Sequence, residues 1–103
     1  MSQPPKAFSD FITRFPKLGT AWDDIHEAGA AGPLDARTQR LIKLAVAIGA
    51  LKEGPVHASV RKAMAMGITR EEQEQVVALA ASTLGLPSTV AAWTRVREVL
   101  DRA

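Results

Sequence analysis

The stretch ARTQRLIKLAVAIGALKEGPVHASVRKAMAMG, residues 36–67, decides the fold. Asp35 predicts the N-cap of a first helix, over about 36–51. A second helix is expected from Gly54-Pro55, with proline at its first position, to the glycine stop at Gly67. The apolar residues of the first helix recur at helical intervals and are expected to form its buried stripe: Leu41, Leu44, Ala45, Ile48 and Leu51.

Helical periodicity continues on both sides of this stretch. Towards the N-terminus, one short amphipathic helix is predicted to end at Pro16, and another to run over about 18–28. Towards the C-terminus, Thr69 and Glu72 have the spacing of a capping box. The last helix is expected to open at Ser88 or Thr89 and to bury a stripe made of Val90, Trp93, Val96, Val99 and Leu100. No strand is predicted, so the expected fold class is all-α, with about six helices.

The composition is that of a soluble globular chain of one domain, 1–103. No apolar run reaches the ~18 residues of a membrane span, and the N-terminus lacks the apolar core of a signal peptide. We therefore expect a cytoplasmic protein with no membrane partner. The sequence has no cysteine, which excludes thiol and disulfide chemistry. A formal charge of +2 and 5% aromatic residues argue against a nucleic-acid partner.

Four segments, 37–49, 54–63, 67–72 and 80–92, resemble the carboxymuconolactone decarboxylase and alkylhydroperoxidase D superfamily. The region similar to that family covers 35–101, after the short N-terminal helices. The resemblance implies an alkylhydroperoxidase D-like helical bundle built around a helical hairpin. It also implies a homo-oligomer, a trimer or hexamer. Known activities in the family are decarboxylation of a lactone acid and disulfide-dependent peroxidation.

The peroxidase motif of the family consists of a glutamate, a Cys-x-x-Cys pair and a histidine. In this chain those positions fall on Arg40, Lys52, Pro55 and Ser59. A cysteine-dependent peroxidase is excluded, because no thiolate is present to attack a peroxide. At this place the chain resembles short relatives that carry the pattern Gly-x-Val-His-x-His. His57 matches the first histidine of that pattern, and Ser59 replaces the second.

His57 and Glu53 are the candidate catalytic residues. A neutral imidazole in the first turn of a helix can accept a proton from a substrate or orient a carboxylate beside the free backbone amides. The alternative for His57 is a structural histidine packed at a subunit contact. Glu53 can pair with the imidazole and hold its tautomer, or it can be a solvated acid favoured near a positive helix end.

Arg40, Lys52 and Ser59 are the candidate substrate-binding residues. Arg40 and Lys52 put cations where the family has an acid and a thiol, which favours a small carboxylate as ligand. Alternatively, Arg40 simply belongs to the polar first half of its helix or pairs with Asp35 or Glu53 across a subunit boundary. No metal and no cofactor are predicted. Two functions remain open: a lyase acting on a small carboxylate or lactone without thiol chemistry, and a catalytically inactive homo-oligomeric binding or scaffold domain.

Overall fold

The computed structural model describes residues 5–102, and all regular structure in this part of the chain is α-helical. The all-α fold class with six helices is therefore confirmed. The helices are α1 (Lys6–Arg14), α2 (Pro16–Ala30), α3 (Ala36–Gly49), α4 (Glu53–Ala65), α5 (Arg70–Leu84) and α6 (Leu86–Leu100). None of these helices is long and apolar enough to cross a membrane.

The chain divides after Leu34 into two compact units. The first contains α1 and α2, and none of the described residues of these helices is buried. Gly19 allows the two helices to approach closely, since a Cβ atom at this position would lie 3.2 Å from the Cβ of Ile12. The second unit contains α3 to α6 and begins at Asp35, where the sequence predicted the family-like region to start.

Side-chain caps fix two helix starts where the sequence predicted them. The Asp35 carboxylate accepts a hydrogen bond of 2.7 Å from the backbone N–H of Thr38. At the start of α5, the Thr69 hydroxyl accepts from the Glu72 N–H, and the Glu72 carboxylate accepts from the Thr69 N–H. These reciprocal bonds form the expected capping box. Local side-chain chemistry alone is enough to set these boundaries.

Three other helices begin earlier than the sequence indicated. Helix α2, expected from about residue 18, starts at Pro16. Pro55 was expected at the first position of α4, but the helix starts at Glu53. Pro87 likewise lies inside the first turn of α6, which starts at Leu86. Proline is accepted throughout a first turn, because the N–H groups there have no partner within the helix. The earlier start of α4 puts Glu53 and His57 one helical turn apart on the same side of one helix.

The core of the second unit lies where α3, α4, α5 and α6 meet. Its fully buried apolar side chains are Leu44, Ile48, Val56, Val60 and Val96. The predicted stripe of α6 is confirmed for Val96, Val99 and Leu100. It is wrong for Val90 and Trp93, which are exposed, while the small Ala92 faces the core.

The buried face of α3 also differs from the predicted one. Ala47 is buried beside Leu44 and Ile48, whereas Ala45 and Leu51 are exposed. The second half of α3 is apolar on nearly every side, so periodicity did not distinguish its core face from the others. The choice of face is made by the packing of α4 and α5 against this helix.

Replacing Leu44 by alanine tests the core. We expect a loss of about 2–5 kcal/mol in the free energy of unfolding, because a fully buried side chain leaves a cavity. Leu86→Ala is the matched control: its side chain is 69% exposed. The control should change the free energy by less than about 0.5 kcal/mol. Urea unfolding followed by circular dichroism measures both, and a small effect at Leu44 would contradict this core.

The α5 capping box predicts a pH dependence of stability. The Arg37 guanidinium and the Thr69 N–H lower the pKa of Glu72 from its usual 4.5 to about 2. A carboxyl with a depressed folded-state pKa stabilises the fold above pH 4.5, and this contribution disappears as the pH falls towards 2. Glu72→Gln should therefore flatten the fall in melting temperature between pH 4.5 and 2. Glu71→Gln, in the same helical turn, should keep the wild-type profile. A Glu72→Gln profile identical to wild type would show that this carboxylate does not supply the effect.

Candidate functional site

Three residues that can exchange protons meet where α6 packs against the start of α4. Glu53 and His57 come from α4, and Glu98 comes from α6. One carboxylate oxygen from each glutamate and a ring nitrogen of His57 all lie within 4.8 Å of one another. Glu53 and His57 converge because they are four residues apart on one helix. The contact between α4 and α6 supplies the third member.

The His57 ring is mostly buried in this set. Its side chain is 18% exposed, and its Nε2 lies 3.8 Å from Oε2 of Glu98. Nε2 itself is shielded from solvent and has no hydrogen-bond partner within the described residues. A buried nitrogen without a partner is costly to the folded protein. The carboxylate of Glu98 beside it would stabilise an imidazolium at this position.

Arg95 connects the two glutamates. Its Nη1 lies 3.4 Å from Oε1 of Glu53 and 3.2 Å from Oε1 of Glu98. These ion pairs are substantially exposed to solvent, so they add little to stability. Their effect is positional: one guanidinium neutralises part of the acidic charge and holds both carboxylates near His57.

A cavity of about 320 Å³ lies beside Arg95, which forms part of its wall; Glu53, His57 and Glu98 are not among its lining residues. The rest of the lining is mainly apolar: Leu51, Val56, Pro87, Ser88, Ala91 and Ala92. Leu51 lies in the turn between α3 and α4 with a φ of 57°, in the left-handed region that non-glycine residues rarely adopt. Backbone strain of this kind is concentrated at functional sites. The cavity has room for a small molecule next to the charged set.

The Glu53–His57–Glu98 set also has the composition of a metal site. Two carboxylates and an imidazole can supply three ligands to a divalent cation. Arg95 already lies against both carboxylates, so a cation would have to displace a positively charged guanidinium. Proton transfer would require no such displacement, and the absence of a metal stays a prediction.

Arg40 is found among other cations. It is half-buried, its Nε is shielded from solvent without a hydrogen-bond partner in the described structure, and burial lowers its pKa. The pKa of Lys62 is lowered by burial and by repulsion from Arg40, Lys43 and Arg61. Lys62 lies roughly 140° around α4 from His57. Arg40 is thus associated with a different side of α4 from the one that carries the acid–base set.

The remaining candidates are not members of that set. Ser59 is buried, 7% exposed, and lies roughly 200° around α4 from His57. Lys52 is exposed and is the N-cap residue of α4, without a side-chain capping bond. The substrate-binding roles of Arg40, Lys52 and Ser59 stay predictions.

The sequence analysis missed Glu98 and Arg95. They are three residues apart on the polar side of α6, a spacing typical of any solvated helix, so no local motif marks them. The available signal was indirect: they flank the buried Val96 and Val99, which places them at the edge of the face packed against α4.

A second, larger groove runs between α3 and α5. Its volume is about 560 Å³, and its lining is predominantly apolar, with Leu41, Ile42, Ala45, Val76, Leu79 and Leu84 among its residues. The groove carries no histidine and one acid, Glu72, which is engaged by Arg37 and Thr69. Its chemistry suits apolar contact rather than proton transfer.

The comparisons with known proteins agree with the resemblance drawn from the sequence. A solved structure similar to this chain is the apo form of a carboxymuconolactone decarboxylase family protein from Legionella pneumophila. The two chains are 25% identical and superpose with a TM-score of 0.82, covering 93% of this chain and 86% of the other. The comparison with curated proteins gave no match. The family model for the carboxymuconolactone decarboxylase family matches residues 16–98, which is most of the sequence. This chain belongs to the carboxymuconolactone decarboxylase family.

Proposed function

We propose that this protein is a lyase that decarboxylates a small lactone acid or a related carboxylate without thiol chemistry. The observation that carries the proposal is the shielded, unpartnered Nε2 of His57 beside two glutamates. Family membership supplies the substrate class, and the cysteine-free sequence removes the competing peroxidase chemistry. In this proposal the protein's own residues provide the proton transfer that the reaction needs.

His57 acts as the general acid. When the carbon–carbon bond to the carboxylate breaks, CO₂ leaves and its bonding electron pair stays on the substrate carbon. The imidazolium of His57 donates a proton to that carbon and regains one from water, so the enzyme is unchanged after each cycle. Glu98, 3.8 Å from the ring, stabilises the imidazolium before the transfer. Glu53 is the second carboxylate of the set.

Arg95 binds the carboxylate of the incoming substrate. It is the charged residue of the cavity wall, and guanidinium groups bind carboxylates with defined geometry. Because Arg95 also contacts Glu53 and Glu98, a substrate anchored on it is held close to the proton donor. The apolar remainder of the cavity accommodates the carbon skeleton of the substrate.

A second function is a catalytically inactive homo-oligomeric binding or scaffold domain. The α3–α5 groove favours it, together with the exposed side chains Ile42, Val46 and Leu79. Apolar surface of this extent on a small domain is typical of an interaction face. We propose a second copy of the chain as the occupant of the groove, giving a trimer or hexamer. This assembly is compatible with either function.

Decarboxylation of carboxymuconolactone, followed by ultraviolet absorbance, tests the lyase. We expect turnover by the wild type and a loss of about 10²- to 10⁴-fold in His57→Ala, the range that general acid–base catalysis contributes. His26→Ala is the matched control, because it removes an imidazole outside the candidate site. A ring nitrogen of His26 is hydrogen-bonded to the Trp22 carbonyl within α2. Its activity should equal that of the wild type.

The other outcomes of this assay are also informative. Equal turnover in wild type and His57→Ala would exclude His57 as the proton donor. No turnover in any variant, with the fold intact by circular dichroism, would contradict decarboxylation of this lactone and favour the binding or scaffold function.

Light scattering coupled to size exclusion tests the assembly. The wild type should elute as a trimer or hexamer, and Leu79→Glu should dissociate it by placing a charge in the apolar groove. Leu86→Glu is the control, since both leucines are 69% exposed but Leu86 lies outside the groove. A monomeric wild type would overturn the proposed assembly. Dissociation by Leu86→Glu alone would exclude the groove as the interface.

A further inference from the structure

Four positively charged residues cluster where α3 and α4 lie side by side: Arg40, Lys43, Arg61 and Lys62. The two helices form an antiparallel hairpin closed by the turn at 50–52. Arg40 and Lys62 are about equally far from this turn along the chain, so the hairpin brings them level with each other. The cluster lies farther from the turn than His57 and on another side of α4.

Arg40 contributes an unused donor to this cluster. Its Nε–H is shielded from solvent and donates to no acceptor within the described residues. Burial lowers the pKa of Arg40, because desolvation disfavours the charged guanidinium. A shielded N–H of a charged group without an acceptor costs the folded state free energy, so an acceptor supplied from outside would be favoured.

Lys62 adds electrostatic repulsion. Much of its side chain is exposed, yet partial burial of the ammonium and the neighbouring Arg40, Lys43 and Arg61 lower its pKa. Lys62 does lie in the last turn of α4, where a helix terminus favours a cation. That effect accounts for one positive charge at the helix end, but not for three further cations brought beside it.

Six of the seven acids of this unit are engaged elsewhere, and the seventh, Glu71, forms no ion pair within the described residues. Asp35 caps α3, and Glu72 binds Arg37. Arg70 forms ion pairs with Glu74 and Asp101. Arg95 forms ion pairs with Glu53 and Glu98. Within residues 35–102, no ion pair joins the four cations to an acid. The cluster therefore has positive charge and a donor, but no counter-charge from its own unit.

We propose that Arg40 and Lys62 bind a compact oxyanion with at least two negative charges, of the phosphate or dicarboxylate kind. The Nε of Arg40 donates to one oxygen, and the Lys62 ammonium pairs with the anion. Lys43 and Arg61 contribute longer-range attraction, which favours a dianion over a single carboxylate. The site is independent of His57, so it stands whether or not the chain is a lyase.

Binding of inorganic phosphate and of malonate at constant ionic strength tests this site. Isothermal titration should detect binding to the wild type, and the melting temperature should rise with anion concentration. Arg40→Gln and Lys62→Gln should each weaken the affinity at least 10-fold. Arg102→Gln is the matched control: it removes one positive charge from an exposed position of the same unit, outside the cluster, and should bind like the wild type.

The two anions distinguish the source of the ligand. Stronger binding of phosphate supports a phosphorylated ligand, and stronger binding of malonate supports a dicarboxylate.

Without added anion, Lys62→Gln should be at least as stable as the wild type, because repulsion from three cations is removed. No binding of either anion, or equal weakening by Arg102→Gln, would overturn the proposal. Loss of assembly in Arg40→Gln without any anion binding would also overturn it and assign the cluster to a subunit contact.

Discussion

The packing of α6 against α4 is the contact on which the rest of the site depends. Val56 and Val60 of α4 meet Val96 of α6 in the core, and all three are almost completely shielded from solvent. Ala92, one turn earlier in α6, is small enough for the two helices to lie close together. Because these apolar contacts fix the register of the helices, Glu98 is placed beside His57. The charged set is only as well ordered as the apolar layer beneath it.

Helix α4 keeps two kinds of charge apart. One side carries Glu53 and His57, to which α6 adds a second acid and Arg95. The side that faces α3 carries Lys62 beside Arg40. Charges of opposite sign separated in this way can serve different purposes: the first set has carboxylates to stabilise an imidazolium, and the second has only cations. The four positions that match the peroxidase motif of the family include Arg40 but no member of the first set.

Local signals predicted the helices well, and predicted their buried faces less well. The Asp35 cap and the Thr69–Glu72 capping box lie where their sequence patterns indicated. The starts of α4 and α6 were predicted too late, because proline marks a first turn without fixing the position within it. Trp93 was expected in the core and is 38% exposed, since the geometry of α6 on its neighbours turned Ala92 inward instead.

The sequence by itself determined the helical class, the family and the absence of thiol chemistry, because these follow from periodicity, motif order and the lack of cysteine. It also singled out His57 and Glu53, which are close together along one helix. Only the tertiary structure brought in Glu98 and Arg95, more than forty positions after Glu53 along the chain, and only it grouped Arg40 with Lys62. Periodicity describes one helix at a time, whereas these contacts are set by which faces of different helices bury their apolar side chains against each other.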